Sequence, residues 1–446
     1  MKYKWSNYNY FTFNNDNFVC YNTKSGAISF GETKLFDSKS MVEDASSLVD
    51  HTYFPFFLKN GFIISEDTDE LSQLQEMNAE KDNRTLHLTL VPTLDCNFAC
   101  PYCYQKGTHD NYYITYELRQ GVLKFIKKEC LNNPIESIQL TWFGGEPTLT
   151  MSFIEEFMSD LTLLSRSTTG FKTTTSIVTN GYLLTPEIFE RLYNSYVRIF
   201  QITLDGVKDN HDKYRVLKDG TETFQTIYNN LTAIKQFKPQ DYDFLIQIRA
   251  NFFKDNLPSM KALVESYSKD FNDDERFSIS FRPILDFTGD LTEDVATKLD
   301  ARKMEASMLN YMQNQDVVAD ENNPMFTLLP MPVSHWCKAS ELLRYVINYD
   351  GDIYRCNSAM TNDKYRVGSL KSDGNMKINE DAVRQWDSSP FNDLSSTCFK
   401  CKRLPVCMGG CVKERIEFGK KPCHWTDSYI NNVLNNLLIS TEKEEN

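Results

Sequence analysis

The sequence has no long apolar run. Its densest, FPFFL at residues 54–58, falls far short of the roughly 20 residues that a bilayer-spanning helix needs. The opening MKYKWSNYNYFTFNND lacks the apolar segment of a secretion signal, so a cytoplasmic chain without a membrane partner is expected. Positive charge is scarce as well, with 48 Lys and Arg against 61 Asp and Glu, a net of −13. That disfavours a nucleic-acid partner, which wants a basic face, and leaves peptides and small molecules. Internal repeats and low-complexity tracts are missing too. At 446 residues the chain exceeds one ordinary core, and two or three domains are expected.

Cysteine, by contrast, is plentiful, with twelve residues. Cytosolic thiols are kept reduced, so disulfides explain them poorly. They are also clustered: Cys96, Cys100 and Cys103; Cys337 and Cys356; Cys398, Cys401, Cys407, Cys411 and Cys423. Cys20 and Cys130 stand alone and read as buried core thiols. The clustered ten ask for metal. Three thiols in the loop LDCNFACPYCYQKG are an odd number, since a closed zinc site takes four ligands and a disulfide takes two. A cubane iron–sulfur cluster held by three cysteines keeps one iron open. A zinc site borrowing a ligand such as His109, or a loop of unmodified thiols, remains the alternative at this point.

The chain changes rhythm along its length. Residues 1–80 carry aromatic-rich alternation, YNYFTF and FVCYNTKSGAISF, and read as a small α+β module whose NTKSG marks a turn between strands. Residues 81–290 repeat strand and helix six times, through LHLTLVP, SIQLTWFGG, KTTTSIVTN, RIFQITLDG, DFLIQIRANF and FSISFRPIL. Such alternation implies a parallel sheet, closed as a barrel or doubly wound, with chemistry at the strand C-terminal ends. The cysteine loop follows the first of these strands. Residues 291–334 read as a mostly polar helical link, and residues 335–446 as a cysteine-rich region of little periodicity.

The spacing C-x3-C-x2-C with Tyr102 before its last cysteine resembles the signature of the radical S-adenosylmethionine superfamily. The resemblance implies a partial (β/α)6 TIM-like barrel whose open iron is chelated by S-adenosylmethionine, and a 5′-deoxyadenosyl radical that removes unactivated hydrogens. It assigns cofactor contacts to Tyr102, to Gly144, Gly145, Glu146 and Pro147 in FGGEP, to Thr179 and Asn180 in TNG, to Thr203 and Asp205 in ITLDG, and to Arg215 and Leu285. Arg suits the methionine carboxylate because a guanidinium binds it bidentately.

Read without the resemblance, CFKCKRLPVCMGGC suggests a zinc ribbon. Its arrangement is similar to the SPASM extension, which holds two auxiliary [4Fe–4S] clusters, for three in all. That likeness implies one cluster on Cys398, Cys401, Cys407 and Cys423, and another on Cys337, Cys356 and Cys411, whose fourth ligand is unassigned or absent. The N-terminal module resembles the winged-helix-like recognition elements of ribosomal-peptide maturases, which add a leader peptide to a sheet edge. The implied function is maturation of a ribosomal precursor peptide by a thioether or carbon–carbon cross-link, with flavodoxin or ferredoxin as electron donor. Formylglycine formation of the anaerobic sulfatase-maturase kind and peptide epimerisation are the enzymatic alternatives. Sulfatase maturases carry an aspartate after the cysteine matching Cys356, thought to act as base, where this chain has Asn357. A zinc-bearing peptide-binding protein is the non-enzymatic alternative. No acid–base residue is assigned.

Overall fold

The computed structural model describes residues 2–14, 16–33, 45–80, 82–105, 112–239, 243–284, 298–317, 329–387, 390–392, 397–419 and 423–444. Two compact units emerge. The first joins Met1–Lys81, Asn323–Glu341 and Gln385–Asn446, and the second joins Asp82–Asn322 with Leu342–Arg384.

In the first unit, β1 (Tyr3–Trp5) pairs antiparallel with β5 (Ile63–Ser65). β2 (Asn9–Phe13), β3 (Asn17–Asn22) and β4 (Ile28–Glu32) form an antiparallel meander in that order. The NTKSG turn closes it, because the Asn22 side-chain oxygen accepts from the amides of Lys24 and Ser25 at 2.9 and 2.8 Å. Asx turns of this kind are what asparagine offers a tight connection. Phe18, Cys20, Phe54, Phe57, Phe62 and Ile63 share one apolar core. Burial pushes the Cys20 thiol up to about 12, as a core thiol should behave. The helix Asp427–Glu444 lies on β2 and β3, burying Tyr429, Ile430, Val433 and Leu434.

The second unit is built on a sheet of ten strands. Six run parallel and in chain order: β6 (Thr85–Leu90), β7 (Ser137–Trp142), β8 (Lys172–Thr179), β9 (Val197–Thr203), β10 (Leu245–Phe252) and β11 (Phe277–Pro283). Helices lie in every connection between them. This is the expected partial barrel, and among the described residues it does not close: β11 ends the sheet, while β6 pairs on its other side with β12 (Arg344–Ile347). Beyond β12 come three antiparallel strands, β13 (Asp352–Tyr354), β14 (Gly368–Leu370) and β15 (Met376–Ile378). Residues 344–378, read from sequence as poor in periodicity, therefore extend the main sheet. Strands of three or four residues hold too few alternations to register as a period.

Successive side chains on a strand point to opposite faces. One face of this sheet is apolar; Trp142, for example, meets Phe153 and Phe157 edge-on at 6.0 and 5.4 Å. The alternate positions carry Thr141, Ser176, Gln201, Gln247, Arg249 and Ser280. A closed barrel fills its interior with branched apolar residues. A polar inner row suits an open, wettable cradle. No described helix is long and apolar enough to cross a membrane.

Candidate active site

The loop after β6 is fastened at both ends. Asp95 caps it by accepting from the Cys96 amide at 2.9 Å and from Lys218 Nζ at 2.8 Å. Farther along, the Ala99 amide donates to Val216 O at 2.9 Å and the Lys218 amide to Asn97 O at 3.1 Å. Cys96, Cys100 and Cys103 sit within this frame. Burial pushes the Cys96 thiol up to about 12, with Glu146, Cys100 and Cys103 adding to the rise. Burial likewise takes Cys100 to about 11, partly offset by Arg215. The three thiols thus lie within electrostatic reach of one another. Without metal Cys96 and Cys100 hold their protons at neutral pH, so their ligation must displace protons.

The FGGEP loop packs directly on the start of the cysteine loop. A Cβ on Gly145 would stand 2.0 Å from Asp95 O and 2.4 Å from Leu94 O, and one on Gly144 would stand 2.3 Å from Thr93 O. Only glycine allows that approach. Two backbone bonds seal it, Gly145 N to Thr93 O at 3.1 Å and Glu146 N to Asp95 O at 2.8 Å. Pro147 then begins the short turn Pro147–Thr150, capped by Glu146.

Glu146 is fully buried, and four protein donors occupy its carboxylate. Oε1 accepts from Thr148 N at 3.0 Å, Thr148 Oγ1 at 2.6 Å and Thr179 Oγ1 at 2.7 Å; Oε2 accepts from Asn180 N at 2.8 Å. Burial still holds its carboxyl above the usual range. Glu146 therefore ties the end of β7 to the end of β8. Asn180 carries the tie onward, its Nδ2 donating to Asn97 Oδ1 at 2.7 Å and lying 3.9 Å from Cys96 Sγ.

A second network gathers Tyr102, Asp205 and Arg215. Tyr102 Oη donates to Asp205 Oδ2, Arg215 Nη1 donates to Tyr102 Oη at 2.7 Å, and Arg215 stands 3.9 Å from Asp205. Asn251 adds donors to Asp205 Oδ1 from its amide at 3.0 Å and its side chain at 3.2 Å. His211 fixes the neighbouring turn by accepting the Asp205 amide at 3.2 Å. Burial holds that imidazole down at about 3, so it is neutral. Desolvation raises the Asp205 carboxyl, with Arg215 and the Tyr102 bond pulling the other way. Arg215 is buried rather than a surface cation, and its Nε lacks a hydrogen-bond partner. An orphaned buried donor fits a carboxylate arriving with a cofactor. Thr203 is buried at the end of β9. Leu285 and His109 lie outside the described residues.

The remaining thiols divide between the units. Cys337 and Cys411 belong to the first unit and Cys356 to the second. Cys398, Cys401, Cys407 and Cys423 all belong to the first. Burial pushes Cys407 up to about 12, with Cys423, Cys398 and Cys401 near enough to contribute. Cys423, Cys398 and Cys401 thus lie within electrostatic reach of Cys407. Met408, Gly409 and Gly410 turn through positive φ values of 41°, 87° and 75°. That left-handed run brings the Gly409 amide to the Cys407 sulfur, and successive amides in such a run form an anion-binding concavity. All twelve cysteines are free of disulfides. Among the described residues, no three His, Cys, Asp or Glu side chains gather closely enough to share one metal ion. Thiols serving separate iron corners of a cluster are spaced more widely than that.

Arg249 and Tyr104 escaped the sequence reading. Arg249 faces the cradle beside Asn251, to which its Nε donates at 3.1 Å. Tyr104 is held high by burial near Cys103 and Cys356. Their only sequence signal was a lone arginine at an alternate position of a strand, which is weak.

Residues 90–245 match the profile of the Radical SAM superfamily. The chain is 23% identical over 356 residues to a cysteine-type anaerobic sulfatase-maturating enzyme of Clostridium novyi (strain NT), covering 74% of this chain and 89% of that protein. Among solved structures, native anSMEcpe with bound AdoMet and Kp18Cys peptide is similar with a TM-score of 0.57 at 21% identity, over 73% of this chain and 89% of its own. Streptococcus suis SuiB bound to precursor peptide SuiA is similar with a TM-score of 0.52 at 16% identity, over 96% of this chain and 99% of its own.

Proposed function

This chain is a radical SAM superfamily enzyme, and we propose that it matures a ribosomally made precursor peptide by installing an intramolecular thioether or carbon–carbon cross-link. The observation that carries this reading is the extent of the likeness to SuiB, a protein described as binding a precursor peptide. It takes in 96% of this chain, whereas the likeness to anSMEcpe takes in 73–81%. The N-terminal module is assigned leader recognition, residues 81–290 radical generation, and residues 335–446 the auxiliary clusters.

S-adenosylmethionine on the cluster held by Cys96, Cys100 and Cys103 would supply a carbon-centred radical able to take hydrogen from an unactivated C–H bond. The chain's own residues do the placing. Arg215, with Nε to spare, receives a carboxylate. Gly144 and Gly145 let the FGGEP backbone close on the cysteine loop. Tyr102 and Asp205 keep Arg215 in place and hold water away from it. The polar inner row offers hydrogen bonds to an extended peptide backbone. Loss of one hydrogen atom, then of a proton and an electron as the new bond closes, leaves the peptide two hydrogens lighter. Cys398, Cys401, Cys407 and Cys423 would hold an auxiliary cluster, which would supply an acceptor for that electron.

Formylglycine formation is the second reading, favoured by the 23% identity to a sulfatase-maturating enzyme. Anaerobic incubation with S-adenosylmethionine, reductant and any short leader-plus-core peptide found encoded beside this gene separates them. A cross-link lowers peptide mass by two hydrogens without creating an aldehyde. An aldehyde that reacts with a hydrazide probe establishes formylglycine instead. Formation of 5′-deoxyadenosine with unchanged peptide mass refutes both.

A further inference from the structure

We infer that the N-terminal sheet and the Cys398–Cys423 thiols form one cooperative unit, so that a cluster bound by those thiols sets the order of the sheet. The inference rests on reading those thiols as iron–sulfur ligands. It goes further by making the recognition module's integrity depend on a metal site almost 400 residues away in sequence.

The contacts all lie within the first unit. Tyr8 next to β2 and Leu74 of the helix Glu70–Ala79 share a buried apolar cluster with Leu404 and Met408, and Cys398 itself packs against it. The loop between Cys401 and Cys407 is stitched to the sheet by polar bonds. Thr23 Oγ1 donates to Lys402 O, and Lys402 Nζ donates to Asn9 O at 2.9 Å. A third contact comes from the other side. Tyr10 Oη bonds Asp427, which Arg403 approaches to 3.4 Å, and Arg403 also donates to Trp425 O at 2.5 Å.

Asp427 opens the helix that covers β2 and β3. Cys423 lies four residues before it. The sheet is therefore flanked by two chain segments, each anchored at a cluster cysteine. A cluster closing Cys398, Cys401 and Cys407 onto Cys423 would staple both at once, and metal-binding free energy then becomes folding free energy of the whole unit. The module's own apolar core is small, and its first strand pairs only with the three-residue β5 among the described residues. Small cores of this kind depend on such staples.

Hydrogen exchange on the anaerobically reconstituted full chain tests this, with no peptide present. The double variant Cys398→Ala/Cys401→Ala is expected to lose about tenfold protection across residues 9–22 and 429–438, with β7 amides unchanged. Cys100→Ala/Cys103→Ala should leave residues 9–22 as protected as in the parent. Equal protection in parent and Cys398→Ala/Cys401→Ala, with auxiliary iron shown lost, overturns the inference. If the variant also exposes β7, the reciprocal experiment decides. Leu74→Ala, with every cysteine intact, should release auxiliary iron to a chelator about tenfold faster, because linkage acts in both directions. An unchanged release rate overturns the inference while leaving the proposed function standing. Iron bound at Cys96, Cys100 and Cys103 but absent from Cys398–Cys423 in the parent overturns the auxiliary-cluster assignment itself.

Discussion

Replacing Gly145 by alanine should disable the enzyme through the backbone alone, and the size of the effect follows from the packing. The added Cβ would stand 2.0 Å from Asp95 O and 2.4 Å from Leu94 O. Carbon and carbonyl oxygen meet comfortably at roughly 3.3 Å, so the two loops must part by about 1.3 Å. Neither clashing atom belongs to a side chain that could rotate away. Parting them stretches Gly145 N to Thr93 O and Glu146 N to Asp95 O, now 3.1 and 2.8 Å, to roughly 4 Å, beyond hydrogen-bonding range. Two lost bonds at about 0.5–1.5 kcal/mol each, with about 1–3 kcal/mol of overpacking, give a cost of roughly 2–6 kcal/mol.

The displacement falls on Asp95, whose carboxylate holds the Cys96 amide at 2.9 Å. A reacting group moved by about 1 Å costs on the order of a hundredfold in rate. The assay is 5′-deoxyadenosine released from S-adenosylmethionine under reductant, with iron content and thermal midpoint measured on the same sample. Gly220→Ala is the control: its φ is +86°, but its Cβ meets nothing within 4 Å. It should cost only about 1–2 kcal/mol of backbone strain and keep turnover. Parent-like melting and turnover in Gly145→Ala would refute the close-approach argument.

Asp205→Asn removes the carboxylate 3.9 Å from the buried Arg215 and should cost about 3–5 kcal/mol in urea unfolding, as breaking one side of a buried pair does; a loss below about 1 kcal/mol would contradict it. Glu146→Gln tests the raised carboxyl of Glu146. A folded-state pKa above the unfolded one gives stability that is present below the unfolded pKa, about 4.3, and is lost as pH rises through the folded value. The parent's advantage over the metal-free variant should therefore shrink from acid towards neutral pH, and a constant difference would contradict the direction. Changing Cys96, Cys100 and Cys103 to alanine should abolish 5′-deoxyadenosine formation while about eight of roughly twelve irons remain; loss of all iron would count against separate sites.

The six parallel strands were legible because each is a β-rich run of six to eight residues bounded by polar or glycine-containing turns. The four strands after Arg344 were not, since their pairing with β6 and with each other supplies what their length cannot. Cysteine spacing picked out the two loops proposed to bind metal, as ligands must be close in sequence when one short loop supplies them. Tyr102, Asp205 and Arg215 were each named for separate reasons. Their convergence belongs to the fold, because Arg215 reaches a tyrosine 113 positions away. Glu146 was expected at the cofactor, yet its lone pairs are occupied by Thr148, Thr179 and Asn180, and no residue type announces its partners. The helix over β2 and β3 was equally hidden, with Tyr10 and Asp427 separated by 417 positions.

Both readings of function release a proton, and for formylglycine formation the resemblance says where its acceptor should stand. Converting a substrate side chain to an aldehyde calls for a base beside the reacting carbon, and the resemblance puts a carboxylate directly after the cysteine at position 356 for that task. Here Asn357 holds the place, with its Oδ1 accepting from Arg344 at 3.1 Å, while the same guanidinium nitrogen reaches Thr89 Oγ1 at 3.2 Å. The amide oxygen is committed to a cation, which leaves the amide nitrogen to donate outward. Neither end takes up a proton at neutral pH. Restoring aspartate would not restore a strong base either. A carboxylate against Arg344 would be held in its ionised form with a depressed pKa.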